Sequence, residues 1–151
     1  MRHLSRRAAL ALGAGSAAMT FVGWNSQAFA AAKEAAADIA KFTGGKTAEA
    51  AKVSIELPEI AENGNTVPLS FTVDAPMTAD NYVSEVLVVA EGNPNPGVAT
   101  FHFSPLSGKA EASTRIRLAT TQNIIVVAKT SGGQFYTGQK LVKVTIGGCG
   151  G

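Results

Sequence analysis

The residue best equipped for chemistry stands third from the end of the chain. Cys149 is the one cysteine among 151 residues, and it lies in Gly147-Gly148-Cys149-Gly150-Gly151. Glycine makes up about a tenth of the chain, so four specified flanking glycines arise by chance roughly once in ten thousand sequences, and the frame needs a reason. Glycine is the costliest residue to order and offers no side chain to pack. The sequence therefore predicts a mobile arm over residues 147–151, beyond a strand ending near Ile146. Three extended residues past Ile146 reach roughly 10 Å. A thiol on such an arm can enter a channel too narrow for bulkier peptide and present its sulfur inside another protein.

The lone cysteine also restricts the chemistry. A second thiol in the same chain would attack a sulfur-loaded Cys149 by exchange and release the cargo. Without a resolving thiol, chemistry of the Cys-x-x-Cys oxidoreductase kind is excluded. No histidine or helix start adjoins Cys149, and Lys140 and Lys143 lie on a strand, so activation of the thiol falls to whatever enzyme receives the arm. Three other uses of Cys149 stand beside the carrier reading. It can be incidental in a disordered end, form an interchain disulfide in an oxidising compartment, or ligate a metal. Blue copper needs two His, a Cys and usually a Met. After removal of an export signal the chain offers His102, Cys149 and Met77, which is too few.

Other reactive side chains form no constellation. His102 lies between Phe101 and Phe103 with no nucleophile motif beside it, and reads as a surface or interface histidine. Arg115 and Arg117 share a strand face and read as solvated. Carboxylates are scattered. Gly44-Gly45-Lys46-Thr47 mimics the end of a phosphate loop but lacks the first glycine and a preceding strand.

The N-terminus reads as an address. Arg2, Arg6 and Arg7 precede an uncharged stretch from Ala8 to Val22, and Ala28-Phe29-Ala30 fits a signal-peptidase site. Residues 1–30 are expected to be removed, leaving no membrane segment. Ser5-Arg6-Arg7 with Leu10 resembles a twin-arginine export signal. The precursor has 13 basic and 11 acidic residues. Three of the basic residues leave with the signal, so the mature chain is near −1. That balance gives no reason to expect nucleic acid or anionic lipid as a partner.

The elements that must carry the arm follow from periodicity. Ala31 to Phe42 suits a short helix stopped by Gly44-Gly45. Thereafter apolar residues alternate at Val53/Ile55/Leu57, Leu69/Phe71/Val73, Phe101/Phe103, Ile116/Leu118 and Val142/Val144/Ile146, as in strands with one buried face. Val86 to Ala90 and Ile124 to Ala128 are continuous apolar runs, suited to strands covered on both faces or to a face that meets a partner, with Val86 to Val89 the candidate. Asn63-Gly64-Asn65, Asn93-Pro94-Asn95-Pro96-Gly97, Ser107-Gly108 and Ser131-Gly132-Gly133 are turns. About seven short strands at this spacing predict an all-β, immunoglobulin-like sandwich over residues 31–146, with a short N-terminal helix. A small barrel is the alternative.

The terminal Gly-Gly-Cys-Gly-Gly resembles the hallmark of SoxY, the sulfur-substrate carrier subunit of the periplasmic Sox thiosulfate-oxidising system. The resemblance continues through Glu62-Asn63-Gly64-Asn65-Thr66-Val67-Pro68, Asn93-Pro94-Asn95-Pro96, Phe101-His102-Phe103-Ser104-Pro105, Thr114-Arg115-Ile116-Arg117-Leu118-Ala119 and Thr121-Gln122. It implies a periplasmic, non-enzymatic carrier that binds no cofactor and pairs with a second β-sandwich protein, SoxZ. It further implies that a c-type cytochrome enzyme joins thiosulfate oxidatively to Cys149 and a dimanganese hydrolase releases sulfate. A molybdenum- and haem-containing sulfane dehydrogenase, where present, oxidises the remaining sulfur. The competing function is a secreted sandwich module that dimerises through a disulfide at Cys149.

Overall fold

The computed structural model describes residues 26–148. Most of the predicted export signal, residues 1–25 with His3 and Trp24, and the end of the arm, Cys149 to Gly151, lie outside the described residues. The chain falls into two units, Met1–Ala30 and Ala31–Gly151. The second holds the sandwich.

Helix α1 spans Ser26–Thr43. Alanines and long straight side chains favour it, and Ala31, Ala35, Ile39 and Phe42 recur on one stripe. It ends where the sequence predicts. Gly44 and Gly45 have φ of 63° and 78°, and the Gly45 amide donates to the Ala40 carbonyl at 2.9 Å. This left-handed closure satisfies a carbonyl of the last turn, and glycine adopts it without a Cβ penalty.

Eight strands follow: β1 Val53–Glu56, β2 Ile60–Asn63, β3 Val67–Val73, β4 Val83–Ala90, β5 Gly97–His102, β6 Ala110–Ile116, β7 Gln122–Thr130 and β8 Phe135–Ile146. They form a three-stranded sheet, β1-β3-β6, and a five-stranded sheet, β2-β8-β7-β4-β5. The sheets remain separate, so the architecture is a sandwich and the barrel alternative is not formed. Every pairing between these strands is antiparallel except β2 on β8, which is parallel.

The core lies between the sheets. Val67, Leu69, Phe71 and Val73 of β3 alternate inward with polar or small residues facing out. They meet Val86, Val88 and Ala90 of β4, Ile124, Val126 and Ala128 of β7, and Val142 of β8. Phe71 stacks edge-on against Phe101 at 5.2 Å and Phe103 at 6.4 Å between ring centroids, a geometry that places a positive ring edge on a negative face.

The second face of the five-stranded sheet has its own small core. Leu87 and Val89 are covered by Ala35, Ile39 and Phe42 of α1, with Ile125 alongside, and Phe42 meets Phe135 edge-on at 6.2 Å. The continuous apolar run of β4 is therefore buried on both faces within this chain. That removes Val86 to Val89 as a partner surface: Val86 and Val88 serve the inter-sheet core, and Leu87 and Val89 serve the helix. Among the described residues, the large apolar side chains left exposed are Ile60, Leu106, Leu141 and Ile146.

Several elements differ in extent from the sequence reading: α1 begins at Ser26, before Ala31, and β5 and β6 end at His102 and Ile116, so Phe103 and Leu118 lie beyond the strands in which their alternation placed them. β8 begins at Phe135, well before Val142, because β7 pairs with it from Phe135 onward; Thr137-Gly138-Gln139-Lys140 has no apolar alternation that would reveal this in the sequence. Gly138 is required there by close packing: an added Cβ would stand 2.9 Å from the Val53 carbonyl oxygen and 3.1 Å from the Val53 Cβ. β2 is four residues long and runs into the turn chemistry of Asn63-Gly64, yet it pairs with β8 through Ala61 opposite Val144 and Asn63 opposite Ile146.

Candidate functional site

The site is the place where the C-terminal segment leaves the sandwich. β8 ends at Ile146, beside β2 and the loop that follows it. Three backbone segments close on one another there. The Gly64 amide donates to the Ile146 carbonyl at 2.7 Å, the Leu118 amide donates to the Gly64 carbonyl at 2.8 Å, and the Gly148 amide donates to the Leu118 carbonyl at 2.8 Å. Gly64 and Gly148 are both buried.

This closure explains three glycines. A Cβ on Gly148 would stand 2.7 Å from the Gly64 carbonyl oxygen and 3.1 Å from the Asn65 amide nitrogen. A Cβ on Gly64 would press into the Leu118 carbonyl oxygen and lie 2.7 Å from the Gly148 nitrogen. A Cβ on Gly147 would press into the Ala119 carbonyl oxygen. None of the three has a φ in the region that favours glycine, so each is demanded by backbone approaching backbone. The sequence predicts an arm free from Gly147 onward. Gly147 and Gly148 instead lie against the body, because their missing side chains admit the backbones of residues 64 and 118–119. Cys149, Gly150 and Gly151 lie outside the described residues.

The segment that receives the root is itself held by a buried polar pair. Asn93 is 2% exposed and Gln122 is 4% exposed. The Asn93 Nδ2 donates to the Arg117 carbonyl at 2.8 Å. Its Oδ1 accepts from the Ala119 amide at 2.9 Å and from Gln122 Nε2 at 2.8 Å. Gln122 Nε2 also donates to the Thr120 carbonyl at 3.0 Å, and its Oε1 accepts from the Gly92 amide at 2.8 Å. Residues 117–120 belong to no strand, so these side-chain amides supply hydrogen bonds that a neighbouring strand would otherwise give. In the sequence, Asn93 reads as part of a turn, and Gln122 stands just before the apolar run that begins at Ile124. A buried amide pair twenty-nine residues apart has no local signature.

The remaining candidates lie elsewhere. His102 Nδ1 is 3.5 Å from Glu85 Oε1, and Lys129 Nζ is 3.0 Å from Glu85 Oε2. The His102 side chain is 70% exposed, so this is a surface cluster across β4, β5 and β7. Arg115 and Arg117 are exposed. Met77 packs partly against the core. Gly44 and Gly45 close the end of a helix, whereas a phosphate loop opens one, so Lys46 and Thr47 hold no phosphate in that manner. Among the described residues no group of three His, Cys, Asp or Glu is placed to hold a metal ion, and no helix is long and apolar enough to cross a membrane.

Residues 39–149 match the family described as "Sulfur oxidation protein SoxY". The sulfur carrier protein SoxY from Chlorobium limicola f thiosulfatophilum is 32% identical, with a TM-score of 0.66 over 79% of this chain and 98% of that one. A superoxide reductase (neelaredoxin) from Ignicoccus hospitalis is 18% identical, with a TM-score of 0.56 over 62% of this chain and 80% of that one. A superoxide reductase from Nanoarchaeum equitans is 13% identical, with a TM-score of 0.51 over 64% of this chain and 100% of that one. The two reductases share the fold alone. A search of curated proteins gave no match.

Proposed function

The chain belongs to the SoxY family of sulfur oxidation proteins, and on that premise we propose that it is a sulfur carrier whose cargo is bound covalently to Cys149. The observation that carries the reading is the reach of the family match. It runs to residue 149, and the solved carrier is matched over 98% of its length. The glycine frame supports it from the side of physical chemistry, because only residues without side chains pass this close to the sandwich and leave a thiol at the tip.

Loading and unloading balance in atoms and electrons. The Cys149 thiol and thiosulfate join through a new sulfur–sulfur bond, releasing one proton and two electrons. The electrons go to a c-type cytochrome enzyme. Water then cleaves the terminal sulfur–sulfonate bond on a dimanganese hydrolase, releasing sulfate and leaving a persulfide on Cys149. A sulfane dehydrogenase, where the organism has one, adds three water oxygens to that remaining sulfur and passes six electrons to its haem, and hydrolysis of the resulting sulfonate releases a second sulfate and restores the Cys149 thiol. In this scheme a SoxZ-like β-sandwich subunit pairs with the carrier.

Export completes the proposal. Residues 1–30 direct the chain to the periplasm by the twin-arginine route and are cleaved near Ala30. N-terminal sequencing of the exported protein tests this, with Ala31 expected as the first residue and an intact Met1 terminus as the refuting result.

The function is tested by Cys149→Ser in the reconstituted system. Thiosulfate-dependent turnover is expected to vanish while the urea midpoint stays at its wild-type value. Unchanged turnover refutes the carrier role. If the protein is instead a module dimerising through Cys149, the native protein is a reductant-sensitive dimer with no sulfur adduct.

A further inference from the structure

Resting on the carrier reading, we infer that Gly64 and the Leu118–Ala119 carbonyls form a dock for the root of the arm, and that this dock determines where the thiol is presented. Gly147 and Gly148 fit against it with no room for a side chain on any of the three glycines. The last hydrogen bond between the described arm and the body is from the Gly148 amide to the Leu118 carbonyl. Asn93 and Gln122 hold the receiving segment in place from beneath. These are positioning residues, since each acts on the thiol through the backbone that leads to it.

The consequence is geometric. An arm free from Ile146 onward would place Cys149 anywhere within roughly 10 Å of the strand end. With Gly148 docked, a single Cα–Cα step of about 3.8 Å separates Cys149 from the last held residue. Cargo is therefore offered at the end of the sandwich built by the 63–65 loop and the 117–122 segment. A receiving enzyme must seat its channel mouth on that end, or draw the root out. Drawing it out breaks one peptide hydrogen bond, whose net worth corresponds to an equilibrium factor of roughly 2 to 13. The dock is thus firm enough to bias the arm and weak enough to open in each transfer.

Gly147→Ala is the cleanest perturbation, because residue 147 follows the last strand and its Cβ meets only the Ala119 backbone. Two readouts are made on the full mature chain. The first is hydrogen exchange of the residue 148 amide. Wild type is expected to show protection, and Gly147→Ala to lose it by roughly 2- to 13-fold, while the amides of Val126 and Val88 stay unchanged. The second is the rate at which a receiving enzyme processes loaded carrier, with KM expected to rise several-fold at unchanged kcat. Gly64→Ala is expected to act in the same direction, and the two substitutions together to be less than additive, because they disrupt one contact. A Gly148 amide that exchanges freely in wild type, or a Gly147→Ala variant with wild-type KM, overturns the inference. Cys149→Ser separates this outcome from failure of the carrier reading. Turnover that survives that substitution, with Gly148 still protected, removes the carrier role and with it the presentation of cargo, while leaving the docked root in place.

Discussion

Replacing Asn93 by alanine removes both ends of the amide that ties residues 117–122 to the 91–97 loop. The wild-type side chain makes three hydrogen bonds of 2.8–2.9 Å, to the Arg117 carbonyl, the Ala119 amide and Gln122 Nε2. Gln122 Nε2 keeps a second partner in the Thr120 carbonyl. The variant therefore orphans two backbone groups, the Arg117 carbonyl and the Ala119 amide. A buried polar group without a partner costs about 1–3 kcal/mol, so two cost about 2–6 kcal/mol. Ala119 is half-buried and Arg117 exposed, so water reaches these groups in part and the lower end, about 2–3 kcal/mol, is expected. For a domain of this size, that lowers Tm by roughly 6–15 °C. Urea unfolding checks it: the midpoint falls while the m-value holds, since the folded and unfolded surfaces are little changed. A loss below about 0.5 kcal/mol, the range of an ordinary surface change, would show that the amide pair does not hold the segment.

The other expectations are simpler. Phe71→Ala empties the centre of the sandwich and loses two aromatic contacts, so it should cost about 3–5 kcal/mol in urea unfolding. Gly138→Val forces a side chain into the β1 backbone at Val53 and should cost about 1–3 kcal/mol or more, read as a fall in Tm. Glu85→Gln breaks the surface pairs with His102 and Lys129, and should change stability by less than about 1 kcal/mol, an effect that added salt erases.

Much of the architecture is legible because burial follows a period of two. β3 is the clearest case: Val67, Leu69, Phe71 and Val73 all point inward. The helix and its glycine stop are equally readable, since local chemistry decides both. What the sequence hides is tertiary. Residues 137–140 of β8 carry no apolar alternation, and they belong to a strand because β7 pairs with them in the run from Phe135 to Val142. The apolar run of β4 leaves open whether its second face meets a partner, and the answer depends on α1, a separate element. At the arm, four glycines around a cysteine announce the thiol by composition alone. The same glycines read locally as freedom, whereas Gly147 and Gly148 are also a fit. That fit needs Gly64 and Leu118, which lie 84 and 30 residues before Gly148, and nothing in the local sequence joins them.

The mass of the native mature protein bears most directly on the carrier role. Intact-mass spectrometry of carrier taken from cells oxidising thiosulfate should show species heavier by sulfur, sulfonate or thiosulfate, all lost on reduction and all absent from Cys149→Ser. A protein of unmodified mass, or one carrying the same additions without Cys149, would contradict it.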